Sequence, residues 1–424
     1  MKFEIESFYN PHLNLRIKRI DAIVSVTSQF EGFVTNNSAM EKAIVFVLDV
    51  SGSMIGGKLQ MGKSAISRCI EMLDENSKFS VITFQNKAKL IVPMTNASTM
   101  AKKEALRAIN TLVAGGGTEM SKGLNTALDQ IRGLDNTMGF VQFVTDGDNN
   151  PADYNSLERV LKECEGKFQC NCWGVGTDWR PNELREISGR LLGSAEAVPN
   201  PDDLEAHFRT ALNDALSKGV ADVYLRIQLP KTSKLVTVKQ MSPEIQDLMM
   251  LTKKADEKNI DVPIGAWGEE SRDYQLGFEL QPQDEGEEMM ACRTKIVYSV
   301  NGQEVIVDGQ RIIATWTSDE SLTARINPQV AHYTGQEELA NSIKEGLEAK
   351  SRGDIDEATM LLGKAVKIAV ESGNEEVTMR LKKVVDVVDV EQGTVRLKSG
   401  NNKAADLELD MGGTRTIRKR KNNG

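Results

Sequence analysis

The pattern of apolar and polar positions divides the chain into stretches of different period. From 41 to 216, short apolar runs alternate with segments whose apolar residues recur at helical spacing. Residues 44–48, 79–84, 141–144 and 170–175 read as strands, most of them buried on both faces, and 89–92 as the other half of a hairpin edge with 79–84. Residues 97–112, 121–131, 156–164 and 202–216 read as helices. Strands separated by helices imply a parallel sheet covered on both faces. An α/β domain over 39–216 is therefore expected.

The flanks follow another rule. Residues 12–27 read as two strands, and Val223, Leu225, Ile227 and Leu229 alternate with polar neighbours. Residues 295–300 and 304–307 flank Asn301-Gly302, a two-residue hairpin signal, and 311–317 continues the series. Strands without intervening helices predict a β-sandwich split between 1–38 and 217–328, with the α/β domain inserted after the polar break Thr35–Ser38. Over 329–390 three helices are expected, lined by Leu339, Ile343 and Leu347, by Ala358, Leu361, Leu362, Ala365 and Ile368, and by Val377, Leu381, Val384 and Val385. Their length fits a tetratricopeptide-like docking unit, and fits equally a helical extension of the sandwich. From 391 to 424 the polar, Gly-rich sequence predicts a flexible tail with a basic end.

Composition narrows the function classes. At 424 residues there is room for several domains, and the net charge of −9 argues against a nucleic-acid surface on the body. No apolar run approaches the ~20 residues of a membrane span, and the charged start lacks a signal-peptide core. The five cysteines (69, 164, 170, 172, 292) are an odd, dispersed set unlike a disulfide framework. Cys170-x-Cys172, with Cys164 nearby, has no fourth ligand at zinc spacing. A cytoplasmic protein is expected.

The candidate chemistry sits where the 44–48 run stops. Asp49, Ser51 and Ser53 occupy alternate positions just past the strand end, the edge where open α/β sheets bind ligands. Hydroxyls beside one or two carboxylates suit a hard divalent cation. Asp49-x-Ser51-x-Ser53 resembles the metal-ion-dependent adhesion site of von Willebrand factor A domains. That family completes its site with a threonine in a later loop and an aspartate after a later strand. Thr118 follows Gly115–Gly117, and Asp146 ends the run from Phe140. The resemblance covers 41–216. It implies a Rossmann-like fold and Mg²⁺ or Mn²⁺ at Asp49, Ser51, Ser53, Thr118 and Asp146. It further implies an open coordination position for an Asp or Glu of a protein partner. As caps, Ser51, Ser53 and Asp146 would serve helix starts, but capping leaves Thr118 unexplained.

Two other patterns in the chain point elsewhere. Gly57 to Ser64 satisfies the phosphate-loop spacing G-x-x-x-x-G-K-S. That loop should leave its strand directly, whereas eight residues, Asp49 to Gly56, intervene, and Leu59, Ala65, Ile66, Cys69 and Ile70 put Gly62 inside a helix. A metal-assisted hydrolase would need a base near the ion, and His12, His207 and His332 lie outside the metal loops. The chain thus reads as a non-enzymatic binding module. In the tail, Thr414 with Ile417 at +3 resembles the phosphothreonine ligand of forkhead-associated domains, beside Arg415 and basic residues from Arg418 that suit a Ser/Thr kinase. Thr416, with Lys419 at +3, fits less well. Together these resemblances imply a bacterial signalling or stress-response scaffold.

Overall fold

Strand β1 (Glu41–Asp49) is the axis of the α/β unit, and every side chain from Ala43 to Leu48 is buried. A computed structural model describes residues 1–30, 40–300, 302–400 and 402–419. Two compact units divide the chain, 35–221 and 1–34 with 222–424.

In the first unit the further strands are β2 (Ser77–Phe84), β3 (Ala88–Asn96), β4 (Thr137–Gly147), β5 (Gln169–Asp178) and β6 (Ala195–Val198). Their spatial order is β3-β2-β1-β4-β5-β6. All neighbours are parallel except the β2–β3 hairpin. The helices are α1 (Gly57–Met72), α2 (Thr99–Asn110), α3 (Met120–Ile131), α4 (Tyr154–Cys164), α5 (Pro181–Arg190) and α6 (Leu204–Ser217). This is a Rossmann-like arrangement. From β1 the chain moves to β2 on one side, and from β4 to β5 on the other, so a crevice opens at the carboxyl ends of β1 and β4. Asp49 and Asp146 stand at those two ends. Gly62 lies within α1 with no room for a side chain, since a Cβ there would come 2.9 Å from Leu48 Cδ1. The phosphate-loop pattern is therefore a helix packed closely on β1. Edge strand β6 and helix α5 were missed in the sequence, one for its four residues and the other for its short buried face, Leu184, Ile187 and Ser188.

The second unit contains a five-stranded and a six-stranded sheet. The first includes Lys2–Phe8, Arg19–Gln29, Glu270–Leu280 and Ser233–Ser242, and the second Asn259–Trp267, Val220–Gln228, Glu288–Val300 and Gln303–Trp316. Phe3 of one sheet meets Trp267 and Tyr298 of the other at ring-centroid distances of 5.5 and 5.1 Å, so the sheets face each other as a sandwich. The long hairpin pairs Val300 with Gln303 and carries Gly302 at φ +77, while Asn301 lies outside the described residues, as do Thr35 to Ser38.

Helices Pro328–Arg352, Ile355–Glu371 and Glu375–Val384 follow. The expected flexible tail is corrected here. Thr394–Leu397 pairs in a hairpin with Val385–Asp389, which is a strand and not the expected end of the third helix, and Lys403–Gly412 is a helix. Val395, Ala405 and Leu409 join one apolar core with Leu339, Ile343, Leu362, Val366, Val377 and Leu381. The glycines that suggested a linker make turns, Gly393 at φ +65 and Gly400 at φ +100, where other residues would be strained. Among the described residues no helix is long and apolar enough to cross a membrane.

Leu409 is fully buried in this core, so Leu409→Ala should cost about 2–5 kcal/mol in urea-induced unfolding. A loss below about 0.5 kcal/mol, the range of ordinary surface substitutions, would show that the last helix does not complete the core.

Candidate metal centre

The site is assembled from three loops. In the first, the buried Asp49 carboxylate is held at both oxygens: the Ser51 amide donates to Oδ1 at 2.7 Å and the Thr145 hydroxyl to Oδ2 at 2.7 Å. Burial pushes this carboxyl up to about 6. The hydrogen bonds from Thr145 and Ser51 pull it back, and the charge of Asp146 adds to the rise. Ser53 Oγ donates to Asp146 Oδ1 at 2.6 Å, and Ser51 Oγ lies 2.9 Å from Ser53 Oγ. A hydroxyl has one proton, so with that of Ser53 committed to Asp146, Ser51 is the donor between the two serines. Neither serine caps a helix: no side-chain cap bond forms at Ser51 or at the start of α1.

The second loop brings Thr118. Gly115 N donates to Val50 O at 2.8 Å and Gly52 N to Gly116 O at 3.0 Å, which ties the glycine loop to the serine loop. Gly117 N donates to Asn86 Oδ1 at 2.8 Å. Gly116 has φ +91, and a Cβ there would come 1.6 Å from Gln85 Oε1, so only glycine fits. A Cβ on Gly147 would lie 3.3 Å from Ser53 Oγ and 3.6 Å from Thr118 Oγ1, which puts both hydroxyls against the third loop.

In the third loop, Asp146 is fully buried, and its Oδ2 receives Lys58 Nζ at 2.6 Å. The residues after it brace the Thr118 loop. Asn150 N donates to Thr118 O at 2.8 Å, Asn149 Oδ1 accepts from Met120 N at 3.0 Å, and Asp153 Oδ2 accepts from Ser121 N at 2.9 Å. The Ser121 hydroxyl donates to the other Asp153 oxygen. Asn149 and Asp153 thereby satisfy the free amides at the start of α3, a helix remote in sequence. Glu183 in turn accepts from Asn149 N at 2.9 Å and from the Tyr154 hydroxyl at 2.7 Å.

The geometry therefore brings Asp49, Ser51, Ser53 and Asp146 into one hydrogen-bonded chain, with Thr118 against the same glycine. The donors are all hard oxygens with two carboxylates among them, a set that fits Mg²⁺ or Mn²⁺. Among the described residues no group of three or more His, Cys, Asp or Glu could hold a metal. Sequence reasoning missed Lys58, Thr145 and Asp153. Lys58 was hidden in the phosphate-loop pattern, and Asp153 caps a helix that its own sequence neighbourhood does not reveal.

The tail site lies elsewhere, within the sandwich unit. Thr414 Oγ1 donates to Glu244 Oε1 at 2.8 Å, and Ile245 N donates to Thr414 O at 2.9 Å. The Thr416 amide donates to Pro243 O at 3.0 Å, His332 Nε2 to Ile417 O at 2.7 Å, and Arg418 Nε to Asp273 Oδ2 at 3.1 Å. Arg415 pairs with Glu376 at 2.8 Å. Thr414 and Ile417 are thus half-buried parts of a strap, while Arg420 and Lys421 lie outside the described residues.

Residues 42–197 match the von Willebrand factor type A domain, and 367–413 match the von Willebrand factor type A C-terminal domain. A von Willebrand factor type A protein from Catenulispora acidiphila is 34% identical, with a TM-score of 0.89 over 98% of this chain and 97% of that one. The chain belongs to the von Willebrand factor type A family, a family of protein-interaction modules. An uncharacterised protein of Synechocystis is 30% identical over 226 residues, 51% of this chain and 52% of its own length. The chain thus spans about half of that relative. Bovine inter-alpha-trypsin inhibitor heavy chain H4 is 27% identical over 177 residues, 39% of this chain and 19% of its own. The ArnB paralog VWA2 of Sulfolobus acidocaldarius shares the fold, with a TM-score of 0.61 at 14% identity and 98% of each chain covered.

Asp153→Ala strips two partners from buried Ser121. It should lower unfolding free energy by about 1–3 kcal/mol, read by urea denaturation. A variant as stable as wild type would show that α3 does not depend on this remote cap.

Proposed function

We propose that this protein is a non-enzymatic binding module that uses Mg²⁺ (or Mn²⁺) to capture an acidic side chain of a protein partner. The observation that carries the reading is the chain Ser51–Ser53–Asp146 at the crevice between β1 and β4, with hydroxyls pointed at one another and at a carboxylate instead of at backbone amides. Ser51, Ser53 and Thr118 would hold the ion, and Asp49 and Asp146 would supply charge. A bound ion supplies an under-neutralised positive centre that accepts a carboxylate oxygen. The protein's own part is to keep those oxygens fixed before the partner arrives. The alternative, a metal-assisted hydrolase, would need a base at the ion. His207 instead pairs with Glu196 at 2.9 Å and His332 with the Ile417 carbonyl, which supports binding over turnover.

The same reading makes it a cytoplasmic bacterial scaffold. All five cysteines are free and buried, as suits a reducing compartment, and the Catenulispora and Synechocystis relatives are bacterial. The strap adds a second contact. A Ser/Thr kinase would phosphorylate Thr414, and a forkhead-associated domain would bind phosphothreonine with Ile417. The phosphoryl group would stand against Glu244, and like-charge repulsion would help release the strap for capture.

Added Mg²⁺ or Mn²⁺ should raise the melting temperature of wild type and leave Asp49→Ala and Asp146→Ala unmoved. Equal shifts in all three would remove the ion from this site. In a pull-down, partners bound to wild type should be lost both with EDTA and in Asp49→Ala.

For the strap, a peptide of residues 408–424 phosphorylated at Thr414 should bind a forkhead-associated domain encoded nearby, and the plain peptide should not. Equal affinities would leave the segment a structural strap only.

A further inference from the structure

Lys58, the second residue of α1, is the group in the site with no role in the binding scheme above. Its ammonium lies 2.6 Å from Asp146 Oδ2 and 3.7 Å from Asp178 Oδ2, so it bridges the ends of β4 and β5. The stem crosses Gly176, where a Cβ would come 3.1 Å from Lys58 Cε and 3.3 Å from Nζ. Glycine at 176 leaves the space through which this side chain reaches the carboxylate. Asp146 is fully buried, with Oδ1 bound by Ser53 and Oδ2 by Lys58. Asp178 is 66% exposed and is the weaker of the two partners by distance.

We propose that Lys58 is a tethered competitor for the divalent cation. In the metal-free protein it neutralises Asp146; on metal binding it moves onto Asp178. This inference rests on the metal reading given above. Its basis is charge: an ammonium 2.6 Å from a carboxylate and a divalent ion drawn to the same carboxylate repel each other in a buried, low-dielectric setting. One must give way, and Asp178 is already within reach as a second berth. The exchange keeps the buried carboxylates compensated in both states, and it lowers metal affinity by the free energy of parting Lys58 from Asp146. Lys58 is accordingly a positioning residue that sets affinity, not a ligand.

The test is calorimetric titration of Mn²⁺ into chelator-treated full-length protein. Lys58→Met should bind Mn²⁺ about tenfold more tightly than wild type, or about 1.4 kcal/mol. Asp178→Asn, which removes the berth, should bind more weakly than wild type, and the double variant should match Lys58→Met, as expected for groups that act through one another. Without metal, Lys58→Met should melt below wild type, and added Mn²⁺ should restore it. If Lys58→Met lacks a cooperative melt, Lys58→Gln is read the same way. Equal or weaker binding by a folded, neutral variant overturns the competitor role and leaves the metal site standing. Absence of binding by both wild type and a folded Lys58 variant overturns the metal reading, and this inference with it.

Discussion

Two carboxylates are removed from water at the carboxyl ends of adjacent strands, and the α/β unit is arranged around the need to compensate them. Asp49 and Asp146 are both fully buried, where an isolated charge is costly. The surroundings answer with a backbone amide, the hydroxyls of Thr145 and Ser53, and one ammonium. Even so, Asp49 rises to about 6, because burial outweighs its hydrogen bonds. A pocket so short of positive charge is suited to a cation.

That compensation works only if the loops hold still, and most of the polar contacts around the site serve this end. The serine and glycine loops exchange backbone hydrogen bonds at Val50, Gly52, Gly115 and Gly116. The glycine loop is then anchored through α3 to Asn149 and Asp153. Each loop borrows its rigidity from another, so the oxygens are positioned before any ligand binds. Prepaid ordering of this kind raises affinity without adding contacts.

The sandwich unit uses its C-terminal residues differently. The last helix fills the apolar core of the helical region, and the strap after it is held mainly by polar contacts, Thr414 to Glu244 and Arg418 to Asp273. Apolar burial makes the helix hard to remove, whereas the strap depends on part-buried hydrogen bonds, each of modest net worth. The change from apolar core to polar strap falls near Gly412.

Much of this was written locally in the chain. Unbroken apolar runs separated by helical periods specified the parallel sheet, because a strand buried on both faces needs apolar residues at every position. Asp49, Ser51 and Ser53 were legible because alternate positions after a strand put side chains on one side, and Thr118 and Asp146 followed from the family pattern. The tertiary structure decided the rest. Lys58 belongs to the site because α1 starts beside the end of β4, which no spacing in the sequence records. Asp153 caps α3 across 32 residues, and Asn149 across 29. The Gly-rich C-terminal stretch has the composition of a linker, yet its few apolar residues, Val395, Ala405 and Leu409, find a core supplied by distant helices. Composition reports how much apolar surface a segment carries, but only the fold provides the surface that buries it.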